Sequence, residues 1–155
     1  MAQGARAKLN CSVDVDRSPE DVFGYVSDVS RHGEWSPKPY RVEGLNPGPV
    51  TVGTTFTSYG WIPGDKDHAE QVEVLEVDAP KRLVLRSKEK DDFFINTFTV
   101  TSTDAGARLE REIDMPKPGG FVGMIFPLVL SGFIKPAVQK GMKMFKTKLE
   151  SQPAS

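Results

Sequence analysis

The feature that most constrains this chain is a regular alternation of strand-like and turn-like segments between residues 40 and 115. Short connections such as NPGPVTVG, PGDKD and DAPK separate the apolar or alternating segments, and each connection carries turn-forming residues. Because connections this short join neighbouring antiparallel strands, the pattern predicts a meander. The six predicted strands are 40–45, 54–62, 69–78, 82–88, 93–103 and 107–115.

One more strand and two short helices are predicted before the meander. Residues 9–15 alternate between apolar and polar side chains, which indicates a half-buried first strand. Ser18 is a good N-cap and Pro19 suits the first position of a helix, so a short helix follows that strand. A second short helical turn is predicted to end near the segment HGEWSP.

The chain after Gly119 is predicted to be helical to about Glu150. Its last part is amphipathic, with apolar residues at steps of three and four and lysines on the remaining surface. We expect Pro127 and Pro136 to kink or break this helix. A curved seven-stranded antiparallel sheet around a long C-terminal helix would bury every apolar face. The prediction is therefore an α+β fold, with a central cavity where sheet and helix do not close completely.

Composition narrows the class of function. The 155 residues suit one domain, with a core over 9–150, and the net charge of −1 argues against nucleic acid as a partner. One cysteine and two histidines exclude an internal disulfide and a His/Cys zinc site, and we expect no metal and no cofactor. The lone thiol, with no apolar segment behind the N-terminal basic residues, predicts a cytoplasmic protein.

Four segments together resemble a known superfamily. They are VDVDRSPEDVFGYVSDVSRHGEWSP (13–37), VGTTF (52–56), VLEVDAPKRLVLRS (74–87) and FTVTSTDAGARLERE (98–112). In order and spacing they resemble the START-like (SRPBCC) superfamily and its helix-grip fold. Within it they are most similar to the polyketide cyclase/dehydrase-like group of small bacterial proteins. The resemblance implies a hydrophobic pocket for lipids, fatty acids, sterol-like molecules or polyketides. Only some members of the superfamily are enzymes.

Four polar or aromatic residues are candidate ligand contacts. Arg111 shares its strand face with apolar residues, so it either binds a partner inside the fold or reaches water at the sheet edge. Asn96 is in phase with Phe98 and is also expected to point inward. The resemblance places His32 and Trp35 near one end of the pocket. The alternatives are an exposed loop for His32 and a role as core filler for Trp35.

The inward phases of the last strands and the final helix predict an apolar lining for the pocket. The predicted lining residues are Phe94, Phe98, Leu109, Met115, Phe126, Val138 and Met142.

The predicted strand 54–62 has one aromatic face, with Tyr59 and Trp61, and one face of small residues, with Ser58 and Gly60. Either orientation is unusual, because it leaves aromatic side chains exposed or makes one pocket wall hollow.

Residues 121–134 form the most apolar stretch, with fourteen residues and no charge. A membrane-spanning helix needs about twenty apolar residues, so we expect no span. Two interpretations remain. The stretch closes over the pocket as its roof or gate, or it makes transient membrane contact together with the lysines that follow.

Binding of a hydrophobic small molecule, without catalysis, is the function that the sequence favours. One alternative is an aromatase/cyclase-like enzyme in which Arg111 stabilises an enolate and His32 moves protons. Another alternative is a module that docks on a membrane or a protein through the basic face of the C-terminal helix.

Overall fold

A computed structural model describes residues 4–155 and shows one curved antiparallel sheet closed by a C-terminal helix. The chain forms seven strands, with two short helices after the first strand and a helical region after the last. The strands are β1 (Arg6–Val15), β2 (Arg41–Glu43), β3 (Thr55–Ile62), β4 (Asp65–Asp78), β5 (Arg82–Glu89), β6 (Asp92–Ser102) and β7 (Ala107–Pro116). The helices are α1 (Pro19–Ser27), a 3-10 helix (Val29–Trp35), α2 (Gly120–Val129), a π-helical turn (Leu130–Ile134) and α3 (Lys135–Glu150).

The strand order is β1-β7-β6-β5-β4-β3-β2, and every pairing is antiparallel. The predicted meander and the α+β helix-grip fold are thus confirmed. Register shifts lie in β3 between Gly60 and Ile62 and in β4 between Val74 and Glu76. Because irregularities of this kind bend a strand, they help the sheet curl around the C-terminal helix.

The first strand begins earlier than predicted, at Arg6 instead of residue 9. The Arg6 guanidinium holds this end in place by donating to Asp92 Oδ1 at 2.8 Å and to Asp114 Oδ1 at 2.9 Å. Those carboxylates lie on β6 and β7, so the Arg6 side chain links three strands at the start of β1.

The sequence prediction for α1 is confirmed in detail. The Ser18 hydroxyl accepts a hydrogen bond from the Asp21 backbone N–H, as expected of an N-cap. The buried side of α1 includes Val22 and Val26, neither of which is exposed to solvent. The helix therefore covers part of the core beside α3.

The C-terminal helical region is continuous, so Pro127 and Pro136 do not break it. Of the two expected effects, a kink or a break, only the break is wrong, because a π-helical turn distorts the helix just before Pro136. The Lys135 backbone N–H donates to the Leu130 carbonyl, five residues back, and this wider turn accommodates the chain just before Pro136. Pro127 lies inside α2 without ending it.

Gly120–Glu150 spans 31 residues and contains an 18-residue window of mean hydropathy 1.8, so by length and composition it qualifies as a candidate membrane span. The expectation of no span considered only residues 121–134. In the fold, the second half of this helix fills the core through Met142, Phe145 and Leu149. Only 11% of the apolar window is buried, and that window lies mainly in the first half.

Candidate functional site

A cavity of about 260 Å³ lies between the inner face of the sheet and α3. Strands β3 to β7 supply one wall, and the 3-10 helix with the segment 36–40 supplies another. Helix α3 contributes Ala137, Val138 and Gly141. Six of the residues predicted from the sequence meet here, namely His32, Trp35, Asn96, Phe98, Arg111 and Val138.

Arg111 is the charged centre of this cavity. It lies on β7 opposite Phe98 of β6, and its Nε and Nη2 donate to Asn96 Oδ1 at 2.9 and 2.8 Å. The guanidinium carbon lies 5.3 Å from the Phe98 ring centre and 5.9 Å from that of Trp35. Of the two predicted positions for Arg111, the inward one is therefore correct.

No described carboxylate forms an ion pair with Arg111, whose partners are an amide oxygen and aromatic rings. Burial lowers the pKa of Arg111 to about 10, while Tyr40 and Cys11 act in the opposite direction. The side chain is thus still protonated at neutral pH. The result is a positive charge in a cavity whose lining mixes apolar side chains with polar ones, among them the Glu70 carboxylate.

Asn96 fixes the orientation of that charge. A guanidinium has only donors, so Oδ1 must be the Asn96 atom that faces it. The amide NH₂ group of Asn96 is then left to donate elsewhere. Asn96 is half-buried on β6 and lines the cavity, as its phase with Phe98 predicted.

His32 is buried, with 7% of its surface exposed, so the alternative of an exposed loop is wrong. Its Nε2 lies 2.7 Å from the Val26 carbonyl oxygen. A carbonyl only accepts, so Nε2 carries the proton and Nδ1 is the free acceptor. Burial lowers the pKa of His32 to about 4, which leaves the ring neutral at physiological pH.

Trp35 combines the two roles that the sequence left open. It is 3% exposed and packs edge-on against Phe98 and Phe145, as a core residue does. It also lines the cavity, and its buried Nε1 has no hydrogen-bond partner in the described part of the chain.

The orientation of β3 is settled by burial. Ser58 faces inward and lines the cavity, whereas Tyr59 and Trp61 lie on the outer face. Both unusual consequences therefore occur together, because β3 contributes only the small Ser58 to the cavity wall and Trp61 is 38% exposed on the outer face.

Tyr40 and Ser87 also line the cavity and were missed. Burial raises the pKa of Tyr40, while the nearby Ser58 side chain and the Arg111 charge act in the opposite direction. Ser87 shares the inward phase of Leu83 and Leu85 on β5, so a serine on an apolar strand face was the available signal. Tyr40 lies just before β2, but it is part of the predicted strand 40–45 and in phase with Val42, which packs against the main core, so that phase was the available signal.

Five predicted lining residues lie elsewhere, which corrects those predictions. Leu109 and Met142 are fully buried in the main core, where neighbouring side chains occupy the space around them. Met115, Phe126 and Phe94 belong to a second cluster, beneath α2. They face inward as predicted, but farther along the sheet than the cavity.

The segment 121–134 is not the roof of this cavity. No residue of the segment belongs to the lining, and the helical part of the wall begins at Ala137. Its large side chains point mainly to solvent, as with Phe121 and Met124. No group of three or more histidine, cysteine or acidic side chains suited to a metal ion occurs within the described residues.

Comparisons with known proteins agree with this fold. Residues 6–150 match the model of a family described as polyketide cyclase / dehydrase and lipid transport. None of the curated proteins matches the sequence.

Several solved structures share the architecture. The crystal structure of protein MLL2253 from Mesorhizobium loti is 17% identical, with a TM-score of 0.68 over 95% of this chain and 99% of the other. Protein CV1439 from Chromobacterium violaceum is 17% identical, with a TM-score of 0.69 over 93% of this chain and 98% of the other.

The di-domain ARO/CYC protein StfQ from the steffimycin biosynthetic pathway is 14% identical, with a TM-score of 0.71. The match covers 94% of this chain but 52% of StfQ, so the chain spans about half of that protein. At these identities the likenesses establish the fold alone.

Proposed function

Because the chain belongs to the polyketide cyclase / dehydrase and lipid transport family, we propose that its cavity binds an apolar small molecule with an acidic or enolate head group. One observation carries this proposal: the Arg111 guanidinium lies in the cavity without a carboxylate partner. The proposed function is ligand binding, with Arg111 as the anchor.

The charge of Arg111 favours an anionic partner. Arg111 is half-buried and has no paired counter-charge among the described residues, so its guanidinium loses part of its hydration energy, and a ligand carboxylate or enolate would offset that loss. A guanidinium has five N–H donors, and Asn96 takes two of them. The remaining donors suit the two oxygens of a carboxylate.

The rest of the cavity suits an apolar body. Val72, Leu85, Phe98 and Val138 line it, and apolar contact contributes about 25 cal/mol per Å² of buried surface. The volume of about 260 Å³ lies just below the ~300–1,000 Å³ of common ligand sites. We therefore expect a compact ligand, or a longer one whose tail leaves through the mouth.

Octanoic acid and octan-1-ol form a matched pair of probes, because they differ only in the head group. We expect wild-type protein to bind the acid at least about tenfold more tightly, the range for hydrogen bonds to charged groups. Arg111→Met removes the charge at similar volume, so it loses this preference but still binds the alcohol. Isothermal titration calorimetry measures both affinities.

Arg108→Met is the control, because Arg108 lies on the same strand but faces outward and pairs with Asp14 at 2.7 Å. It should bind both probes as wild type does. Equal affinity of wild type for acid and alcohol, or an acid preference that survives Arg111→Met, would falsify the proposed anchor. Native mass spectrometry of protein purified from its own host would then identify the bound molecule.

A cyclase-like activity is the second candidate, because Arg111 also suits an enolate that forms during ring closure. With its lowered pKa, His32 is a poor proton acceptor at neutral pH. This favours binding over catalysis, unless the Tyr40 phenol or water moves the proton. Turnover of a poly-β-ketone by wild type, lost in Arg111→Met while binding persists, would support the enzyme.

A further inference from the structure

The first half of the C-terminal helical region carries an exposed apolar face. We call this set of residues the α2 face. Its members are Phe121 (73% exposed), Val122 (53%), Met124 (79%), Ile125 (36%), Leu128 (71%) and Phe133 (77%).

The α2 face lies on the side of the helix that does not pack against the rest of the fold. On the opposite side, Phe126 is buried against Leu9, Ile113 and Met115. Gly123 lies so close to the Pro118 carbonyl that a Cβ has no room there. The helix is thus apolar all round, although this chain covers only one side, and a helix of that kind needs a second apolar environment.

Positive charge surrounds the α2 face. Between Lys117 and Leu149 the sequence has six lysines and no acidic residue, whereas the whole chain has a net charge of −1. Lys117 precedes α2, while Lys135, Lys140 and Lys143 follow the π-helical turn, and all four are exposed. This arrangement is complementary to a surface that is apolar inside and negatively charged outside.

The α2 face also adjoins the mouth of the cavity. Among the lining residues, Lys38 and Ala137 are the exposed ones, so the cavity reaches solvent beside them. Phe133 is one helical turn before Ala137. On the other side, the Lys38 ammonium lies 4.6 Å from the centre of the exposed Trp61 ring, and tryptophan is typical of membrane interfaces.

We propose that the α2 face docks this protein on an anionic membrane, with α2 lying in the interface and the cavity mouth beside the lipid. A membrane explains the apolar side chains and the lysines together, since the first enter the acyl boundary and the second reach the head groups. The helix lies on the membrane rather than crossing it, because Met142 and Phe145 in its second half hold the sheet.

The test is sedimentation of full-length protein with phosphatidylcholine vesicles, with and without phosphatidylserine. We expect binding to require phosphatidylserine and to weaken as salt rises. Met124→Ser combined with Leu128→Ser should reduce vesicle affinity about tenfold or more, because it removes two inserted side chains. Lys135→Gln and Lys140→Gln should each lower the affinity for vesicles about fivefold.

Matched controls exist elsewhere on the surface. Val52→Ser changes a side chain that is 61% exposed outside the α2 face, and Lys81→Gln removes an exposed lysine between β4 and β5. Both should bind vesicles as wild type does. Arg111→Met should as well, so a failure of the proposed ligand anchor is distinguishable from a failure of docking.

Absence of vesicle binding overturns the proposal, as does equal binding to neutral and anionic vesicles. So does undiminished binding of the Met124→Ser, Leu128→Ser variant. Analytical ultracentrifugation adds one further outcome. A wild-type dimer that this variant converts to a monomer, without vesicle binding by wild type, assigns the α2 face to a second copy of the chain.

Discussion

At the scale of residues, strand phase predicted which side chains point inward but not which of them meet. Arg111 and Asn96 were placed on the inner face by their phase with apolar neighbours, and the structure joins them at 2.8 Å. Leu109 and Met115 share that phase and yet lie outside the cavity. A period of two gives the side of a sheet, whereas the position of a cavity along that side depends on curvature and packing.

The environment of His32 was not predictable from the residues next to it in the sequence. Its segment resembled an exposed loop, but the 3-10 helix Val29–Trp35 turns the ring beneath Val26. The ring also packs at a tilt against Trp35, with 4.6 Å between the ring centres. Tertiary packing thus converted a polar loop residue into a neutral core residue.

The lowered pKa of His32 predicts a loss of stability in acid. The unfolded chain takes up this proton below a pH of about 6.5, whereas the folded protein does so only near the His32 pKa of about 4. Falling pH therefore favours the unfolded state across that window, by on the order of 3 kcal/mol.

Urea denaturation between pH 7 and pH 4 measures this effect. His32→Gln does not titrate, so its free energy of unfolding should fall less steeply with acid than that of wild type. Parallel pH profiles for the two proteins would show that His32 is protonated without unfolding.

At the scale of elements, all seven strands were predicted. Their observed ends differ from the predicted ends where contacts outside the strand determine them. β4 begins at Asp65 instead of residue 69, because the turn before it is shorter than its composition suggested. In the C-terminal helix, by contrast, the sequence predicted an interruption that the structure does not have. Pro136 is a strong breaker in isolation, but the π-helical turn and packing of Ile134 and Val138 keep the helix continuous.

Two glycines of the C-terminal helical region should respond oppositely to alanine. In Gly123→Ala, the new methyl would collide with the Pro118 carbonyl, so we expect a destabilisation of about 1–3 kcal/mol. In Gly132→Ala the methyl meets nothing within 4 Å, so helix propensity should stabilise the protein by about 0.5–1 kcal/mol.

Thermal or chemical denaturation of the two variants gives the comparison directly. A stabilised Gly123→Ala protein would mean that the segment 118–123 moves aside without cost. In that case Gly123 would serve as a hinge at the start of α2, instead of a point of close contact.

At the scale of the whole molecule, the fold leaves part of its core open. The sheet curls around α3, and the space between Arg111 and Gly141 stays unfilled because serines and a glycine occupy inward positions there. The sequence predicted a cavity because a curved sheet and a long helix do not close completely. Its volume was not predictable, because it depends on which large side chains reach across.

Filling the cavity should therefore raise the free energy of unfolding and weaken ligand binding. Ser87 is buried on β5 and lines the cavity, so Ser87→Val adds apolar volume there and replaces a polar group in a strand. We expect the free energy of unfolding to rise by about 1 kcal/mol from the apolar surface newly buried. We also expect octanoic acid to bind about tenfold more weakly, because the new methyl groups occupy its space.

Ser12→Val is the matched substitution, since Ser12 is exposed on the outer face of β1. It changes strand propensity in the same way but adds nothing to the cavity, so affinity for octanoic acid should stay at the wild-type value. If Ser87→Val stabilises the protein and still binds octanoic acid as wild type does, the acid occupies another site. The open core would then be a packing defect with no ligand. If both affinity and stability change as expected, the unfilled volume is kept for the ligand at the cost of stability.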